Sequence, residues 1–490
     1  DYIIQTKFDS ATGTVLVDRF RDTSPADGKP DTVLPFETAP LTEIESIWEA
    51  GKILAKRTTR RIILTWVDKD NDGFVDSGEE MEFDADTSGI DNSTLLAPYL
   101  RAGAAPYTSA NIINFVRGNQ IAGLRDRRLT VDGTLRVWKF GDPVHSTPTI
   151  VGPPAQNFDL VYGDTTYNAF FKAYRTRRQV AFVGANDGML HAFNVGFYRA
   201  GDDACSSSVE HGYFLKANIS ETSTACPKND SAGKPLGEEL WAFVPYQLLP
   251  QLQWLTQANY SHVYYVDLKP RVFDVRVFCD GGNGPTTCQD GQSSVSHPNG
   301  WGTILIGGFR MGGSCGTCTA GTGAPPMRVV ADFNGDGDTV DPNDDRYFYS
   351  AYFALDITDP EQPPKLLWSF TDTGLGLTTS FPSVLRVLSS TLTDKADKKA
   401  QWLMVVGSGP NGYGAEVTGQ TAKMYAVDIA KGPGPDSGAF LNNSYVKTFP
   451  IGSWNSFIGD PVSLDRNFDY RVDVSYTGRV IHDGTLPWRG

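Results

Sequence analysis

From about Val144 onward the chain repeats itself loosely, and this restricts the fold more than any other feature. One unit runs through HSTPTIV at His145, VAFVGANDG at Val180, MLHAFNV at Met189 and ELWAFVP at Glu239. A second holds WGTILIGGF at Trp301, YFALDI at Tyr352 and KLLWSF at Lys365. A third holds SFPSVLRV at Ser380, WLMVVGSGPNG at Trp402 and KMYAVDI at Lys423, and a fourth opens with DPVSLD at Asp460 and VDVSYTG at Val472. Each unit reads as about four short strands joined by glycine-rich turns, the cadence of β-propeller blades. A β-sandwich is the competing all-β reading, but the recurring order of a VG/DG turn, an alanine-aromatic strand and an LW-aromatic strand favours blades. The fourth unit reaches Gly490 before its closing strands, so other residues are expected to complete it.

Ahead of the repeats, residues 1–40 are polar and turn-rich and read as an extended lead-in. Residues 41–140 read as a helical segment packed on the propeller of 141–490. Within it, Leu41 to Arg57 has apolar residues at helical spacing, Arg61 to Val67 is rich in β-branched residues and reads as a strand, and 94–120 suggests two short helices.

The strand at 61–67 runs into DKDNDGFVDSGE, Asp68 to Glu79. This matches an EF-hand calcium loop at every position: oxygen side chains from Asp68, Asp70, Asp72, Asp76 and a bidentate Glu79, the Phe74 carbonyl, and Gly73 for the sharp turn. A strand replaces the usual entering helix, so the loop is EF-like rather than half of an EF-hand pair. Two further stretches repeat the alternation. DRNFDYRVD, Asp465 to Asp473, alternates acidic and amide side chains in the same way. DFNGDGDTVDPNDD alternates Asp332, Asn334, Asp336 and Asp338, then breaks at Val340 and Asn343, where positions nine and twelve fall. Two or three Ca²⁺ ions are therefore the expected inorganic partners.

With a net charge of −14 over 490 residues and no basic run, the chain is not expected to bind nucleic acid. No stretch approaches the roughly 20 apolar residues of a membrane-spanning helix. The six cysteines fall in couples near in sequence, Cys205 with Cys226, Cys279 with Cys288 and Cys315 with Cys318. They suggest local disulfides and an oxidising compartment, although the pairing is open. Cys315 and Cys318 sit among glycines rather than at a helix start, which favours a structural bridge over a redox site. His145, His191 and His262 lie in strand-like motifs and read as structural. Ser146 and His145 are neighbours on a strand, pointing to opposite faces, and form no dyad. Trp241, Trp301, Trp368 and Trp402 recur at equivalent positions and read as packing between blades.

The segments GDPVHSTPTIVG, VAFVGANDGMLHAF, ELWAFVPYQLLPQL, HVYYVDLKPRVFDV and SAYFALDITDPEQPPKLLWSF, in this order, resemble the PilY family of type IV pilus tip-associated adhesin and biogenesis proteins. The resemblance implies a mainly β, quinoprotein-like modified propeller of about seven blades with irregular insertions. It also implies a calcium loop at Asp465, Asn467, Asp469, Arg471 and Asp473 whose occupancy regulates pilus extension and retraction. Further implications are a non-catalytic role, export through the periplasm to the pilus tip or outer surface, and contacts with minor pilins and with a host or abiotic surface. The loops at 68–79 and 332–345 are insertions relative to this pattern. ANDGMLHAF and KLLWSF are also similar to repeats of pyrroloquinoline quinone dehydrogenases, which makes a calcium-dependent propeller enzyme the rival reading, and a purely structural calcium-stabilised module a third.

Overall fold

The repeat units become sheets. In the computed structural model, which describes residues 2–481 apart from 24–28, 42–45, 72, 74, 88, 202–211, 218–232, 279–295, 317, 319–325, 388–399, 414–418 and 434–445, the chain is mainly β. The first unit forms the antiparallel strands Thr149–Val151, Gln179–Gly184, Leu190–Ala200 and Glu239–Phe243. A second four-stranded antiparallel sheet takes Arg271–Arg276, Trp301–Gly308, Tyr352–Asp356 and Lys365–Phe370, and a third takes Ser383–Val387, Gln401–Gly407, Thr421–Asp428 and Val446–Trp454. Val462–Leu464 and Val474–Tyr476 pair as a hairpin beyond them.

The apolar runs are continuous because the second sheet is covered on both faces. Ile304, Ile306, Tyr352, Ala354, Trp368 and Phe370 enter a core shared with Trp402, Met404 and Tyr425 of the third sheet. The alternate residues Leu305, Phe353 and Leu355, with Leu366 beyond a β-bulge that reverses the faces of its strand, enter a core shared with Phe182, Leu190, Ala192 and Phe243 of the first. Since successive side chains on a strand point to opposite faces, one run of sequence serves two cores. Each fully buried Leu, Ile or Phe contributes about 1.5–3 kcal/mol.

Three features differ from the sequence reading. Residues 2–40 are not a bare lead-in: Tyr2–Asp9, Thr14–Arg21 and Glu37–Pro40 pair as an antiparallel sheet, burying Val17, Phe20 and Ala39. The helix expected over Leu41 to Arg57 is confined to Ala50–Lys56, with residues 42–45 outside the described set. Trp48 lies ahead of the helix and packs beside Ala181, Val183, Phe193 and Val195, a tertiary contact that overrides the local helical period. The segment ahead of residue 141 also supplies strands to the first sheet, since Ile63–Trp66 joins it parallel to Glu239–Phe243 and Glu80–Glu82 returns antiparallel beside it. The buried Arg61 guanidinium, whose Nε and Nη2 each lie 2.7 Å from a Glu239 carboxylate oxygen, locks this junction.

The helix Ser109–Arg117 is started by Thr108, whose hydroxyl accepts from the Asn111 amide, and ends at Gly118 with φ +105°. Thr165–Tyr174 is capped by Asp164, which accepts from the Thr166 and Tyr167 amides. It inserts Tyr167 and Phe170 into the core between the second and third sheets.

Candidate metal centres

All three acidic stretches close antiparallel hairpins. Residues 68–79 join Ile63–Trp66 to Glu80–Glu82, 332–344 join Met327–Val330 to Asp345–Phe348, and 465–473 join Val462–Leu464 to Val474–Tyr476. Cross-strand hydrogen bonds therefore hold the entry and exit of each loop side by side, as the two helices of an EF-hand do for its loop.

The loops share a backbone. At the fourth and sixth positions φ is positive: Asn71 +61° and Gly73 +80°, Gly335 +78° and Gly337 +96°, Phe468 +56° and Tyr470 +72°. In each, the sixth amide donates to the first carboxylate, Gly73 to Asp68 at 3.0 Å, Gly337 to Asp332 at 3.0 Å and Tyr470 to Asp465 at 2.8 Å. The second amide donates to a closing carboxylate, Lys69 to Glu79 at 2.6 Å, Phe333 to Asp344 at 3.1 Å and Arg466 to Asp473 at 2.8 Å. That closing residue always immediately precedes the return strand.

In the first loop one oxygen each of Asp68, Asp70 and Glu79 lies within 4.8 Å of the others, with Asp68 and Glu79 buried. Burial raises the pKa of Glu79; the Asp76 and Lys69 amides oppose the rise, while Asp70 and Asp76 add to it. An all-oxygen donor set with mutually repelling charge fits a hard cation such as Ca²⁺. Asp76 stays outside the gathered group and offers its amide to Glu79 at 2.9 Å. Asp72 and Phe74 lie outside the described residues.

The 465–473 loop is built around Tyr470. Its ring stacks on Tyr162 at 4.2 Å and beneath the Arg386 guanidinium at 3.9 Å, its hydroxyl reaches the capping Asp164 at 3.2 Å, and its carbonyl accepts from Arg386 at 2.6 Å. These contacts hold Tyr470 at positive φ, which costs on the order of 1–3 kcal/mol for a non-glycine residue. Burial and the Asp465 carboxylate push the Tyr162 phenol up to about 12. Asp469 accepts from the Arg471 amide at 3.0 Å, and Asn467 from the Asp469 amide at 3.0 Å. Asp465, Asp469 and Asp473 are not among the described sets of three acidic groups gathered within 4.8 Å.

The 332–345 loop departs from the expected ligand set. Asp336 and Asp338 are brought together with Asp341 and Asp344, which the alternation had passed over, whereas the Asp332 carboxylate is not in that group. Asp332 spends its oxygens on the Gly335 and Gly337 amides, and Asn334 Nδ2 donates to Asp336 at 3.0 Å and Asp341 at 2.8 Å. The missed signal was the DRYF strand: the residue before it, Asp344, takes the place that Glu79 takes in the first loop.

The histidines and the serine singled out in the sequence are engaged by neighbouring groups. His191 is fully buried between Asp187 at 3.1 Å and Glu239 at 2.8 Å. Burial alone would lower its pKa, but these two carboxylates raise it to about 9. His145 lies 2.5 Å from Asp267, and His262 lies 2.9 Å from Asp142. The Ser146 hydroxyl accepts from the Gly184 amide at 2.8 Å. Cys315 and Cys318 form a disulfide; Cys205, Cys226, Cys279 and Cys288 lie outside the described residues. Trp241, Trp301, Trp368 and Trp402 are buried, and Trp301 meets Trp402 across two sheets at 5.7 Å. Among the described residues no helix is long and apolar enough to cross a membrane.

Fold and loops together define a mainly β protein of packed sheets carrying acidic hairpin loops. No protein-family model matches the chain. It is 25% identical over 452 residues to the type IV pilus biogenesis factor PilY1 of Pseudomonas aeruginosa (strain UCBPP-PA14), covering 88% of this chain and 27% of that protein. It is 26% identical over 388 residues to a PilY1 homolog of Xylella fastidiosa (strain Temecula1), covering 76% of this chain and 22% of that protein. Among solved structures, the Pseudomonas aeruginosa PilY1 C-terminal domain matches with a TM-score of 0.35 and 20% identity, over 68% of this chain and 43% of that one. The resemblance to PilY proteins thus extends along most of the sequence, while the chain spans about a quarter of the length of these curated relatives.

Proposed function

We propose that this chain is the calcium-binding, propeller-type portion of a type IV pilus biogenesis protein, acting outside the cell at the pilus tip or outer surface. The observation that carries the reading is the match to proteins named as pilus biogenesis factors over 452 residues. Three consecutive repeat units that each contribute four antiparallel strands to a sheet support a propeller, with about seven blades as the proposed count.

Calcium would be held at 68–79 by Asp68, Asp70 and Glu79, joined from the loop pattern by Asp72, Asp76 and the Phe74 carbonyl, and at 465–473 by Asp465, Asn467, Asp469, Asp473 and the Arg471 carbonyl. The bound ions would supply the positive charge that offsets repulsion among the loop carboxylates. The role proposed is non-catalytic, in keeping with His191, whose ring nitrogens are enclosed between the Asp187 and Glu239 carboxylates. Minor pilins at the pilus tip and a host or abiotic surface are the proposed partners. Loop occupancy would set how firmly the hairpin ends are ordered, and thereby pilus extension and retraction.

The test is piliation in the source bacterium carrying Asp469→Ala or Asp473→Ala, read as sheared surface pilin and surface motility. Reduced display with normal protein level is expected. Wild-type piliation in a variant shown to have lost its calcium would overturn the regulatory role.

A further inference from the structure

We infer that the 332–345 loop is a third divalent-cation site, closed by Asp344 and completed by Asp336, Asp338 and Asp341, in a register different from that of the sequence alternation. It rests on the calcium-binding reading above and adds two ligands, Asp341 and Asp344, that the loop pattern does not predict. Two observations carry it.

The first is the gathering of these four side chains: one carboxylate oxygen of each lies within 4.8 Å of those of the other three. Two strands and the loop between them bring the four together, and the Asn334 amide group bonds both Asp336 and Asp341 from the side.

The second is Asp344 itself. Its side chain is fully buried; Oδ1 accepts from the Phe333 amide at 3.1 Å, and Oδ2 has no hydrogen-bond partner. Among the described residues it is the one carboxylate oxygen left so. A buried acceptor without a donor is costly, and a negatively charged one more so, unless a cation completes it. The surrounding carboxylates deepen the deficit of positive charge, and Arg346, two residues on, is turned away to the Asp68 and Lys69 carbonyls. An oxygen-only set of four carboxylates, two exposed, one half-buried and one buried, suits an ion that keeps part of its water shell. Ca²⁺, with its tolerance of irregular geometry, fits better than Mg²⁺.

The experiment is isothermal titration of the full chain with Ca²⁺ alone after chelator treatment, paired with bound-metal analysis. Asp344→Asn keeps an acceptor for the Phe333 amide but weakens ligation, so it should lose one ion per chain and leave the other sites unchanged. Asn343→Ala, at the position that strict alternation would make the closing ligand, should lose none. Should Asp344→Asn fail to fold, the surface double variant Asp338→Asn/Asp341→Asn must lose the same ion. A wild-type chain that binds calcium while the folded closing-ligand variant, or that double variant in its place, keeps every ion overturns this inference alone. A wild-type chain that binds no calcium overturns both it and the calcium reading on which it rests.

Discussion

Replacing Arg346 by Met would disturb two acidic loops at once. Arg346 is 2% exposed and follows the 332–345 loop directly, yet its guanidinium serves the other loop: Nη1 donates to the Asp68 carbonyl and Nη2 to the Lys69 carbonyl at 2.9 Å. Nε returns to the Asn343 carbonyl at 2.9 Å, and the group lies 4.5 Å from the centre of the Phe333 ring. Methionine fills much of the same space but donates nothing, so three carbonyls lose a charged donor in a buried setting. Hydrogen bonds to charged groups are worth about 1.5–3 kcal/mol each and do not add fully, so a net loss of about 3–5 kcal/mol is expected. Because Asp68 belongs to one gathered carboxylate set and Asn343 adjoins the other, calcium affinity at 68–79 and 332–345 should fall about tenfold, or ~1.4 kcal/mol. The 465–473 loop, built on Tyr470 and Arg386, should be untouched. Arg346→Lys keeps the charge but not the fork and should fall between. The assay is urea unfolding with calcium or chelator, together with calcium titration. Lower stability with unchanged affinity at both neighbouring loops would refute the argument, leaving Arg346 as core packing only.

The buried His191 sets a second expectation. Its pKa is raised from 6.5 to about 9, so the folded state holds this proton more tightly than the unfolded chain. The resulting stability, about 3 kcal/mol, is complete below the unfolded pKa and is lost as pH rises through about 9. His191→Gln should flatten the fall in unfolding free energy between pH 6.5 and 9, and an unchanged slope would contradict it. Trp301 is fully buried, donates to the Thr166 hydroxyl at 2.9 Å and packs on Tyr167 at 4.9 Å and Trp402 at 5.7 Å. Trp301→Ala should cost about 3–5 kcal/mol by denaturant unfolding, and a loss below 1 kcal/mol would mean the second and third sheets do not share this core.

Much of the fold was legible because strand-forming runs separated by glycine turns are local. All four segments of the first repeat unit pair as its central sheet, and the 68–79 loop follows a strand as its β-branched entry indicated. What escaped was non-local. The Ile63–Trp66 strand pairs with Glu239–Phe243, far away in sequence, so no local pattern could show that the helical segment supplies two strands of the first sheet. Trp48 looked helical because its period is local, whereas its packing surface on Ala181 and Phe193 is not. In the 332–345 loop, counting from Asp332 placed the closing ligand at Asn343. Sheet register decides instead, since the carboxylate that meets the second amide is the one at the mouth of the return strand, Asp344.

The most direct measurement is the calcium content of the full chain by elemental analysis after dialysis against calcium-free buffer and re-equilibration in millimolar calcium. Three ions per chain, falling to two in Glu79→Gln and to two in Asp473→Ala, is the predicted result. A chain that retains no calcium under these conditions would contradict the claim that its acidic hairpin loops are cation sites.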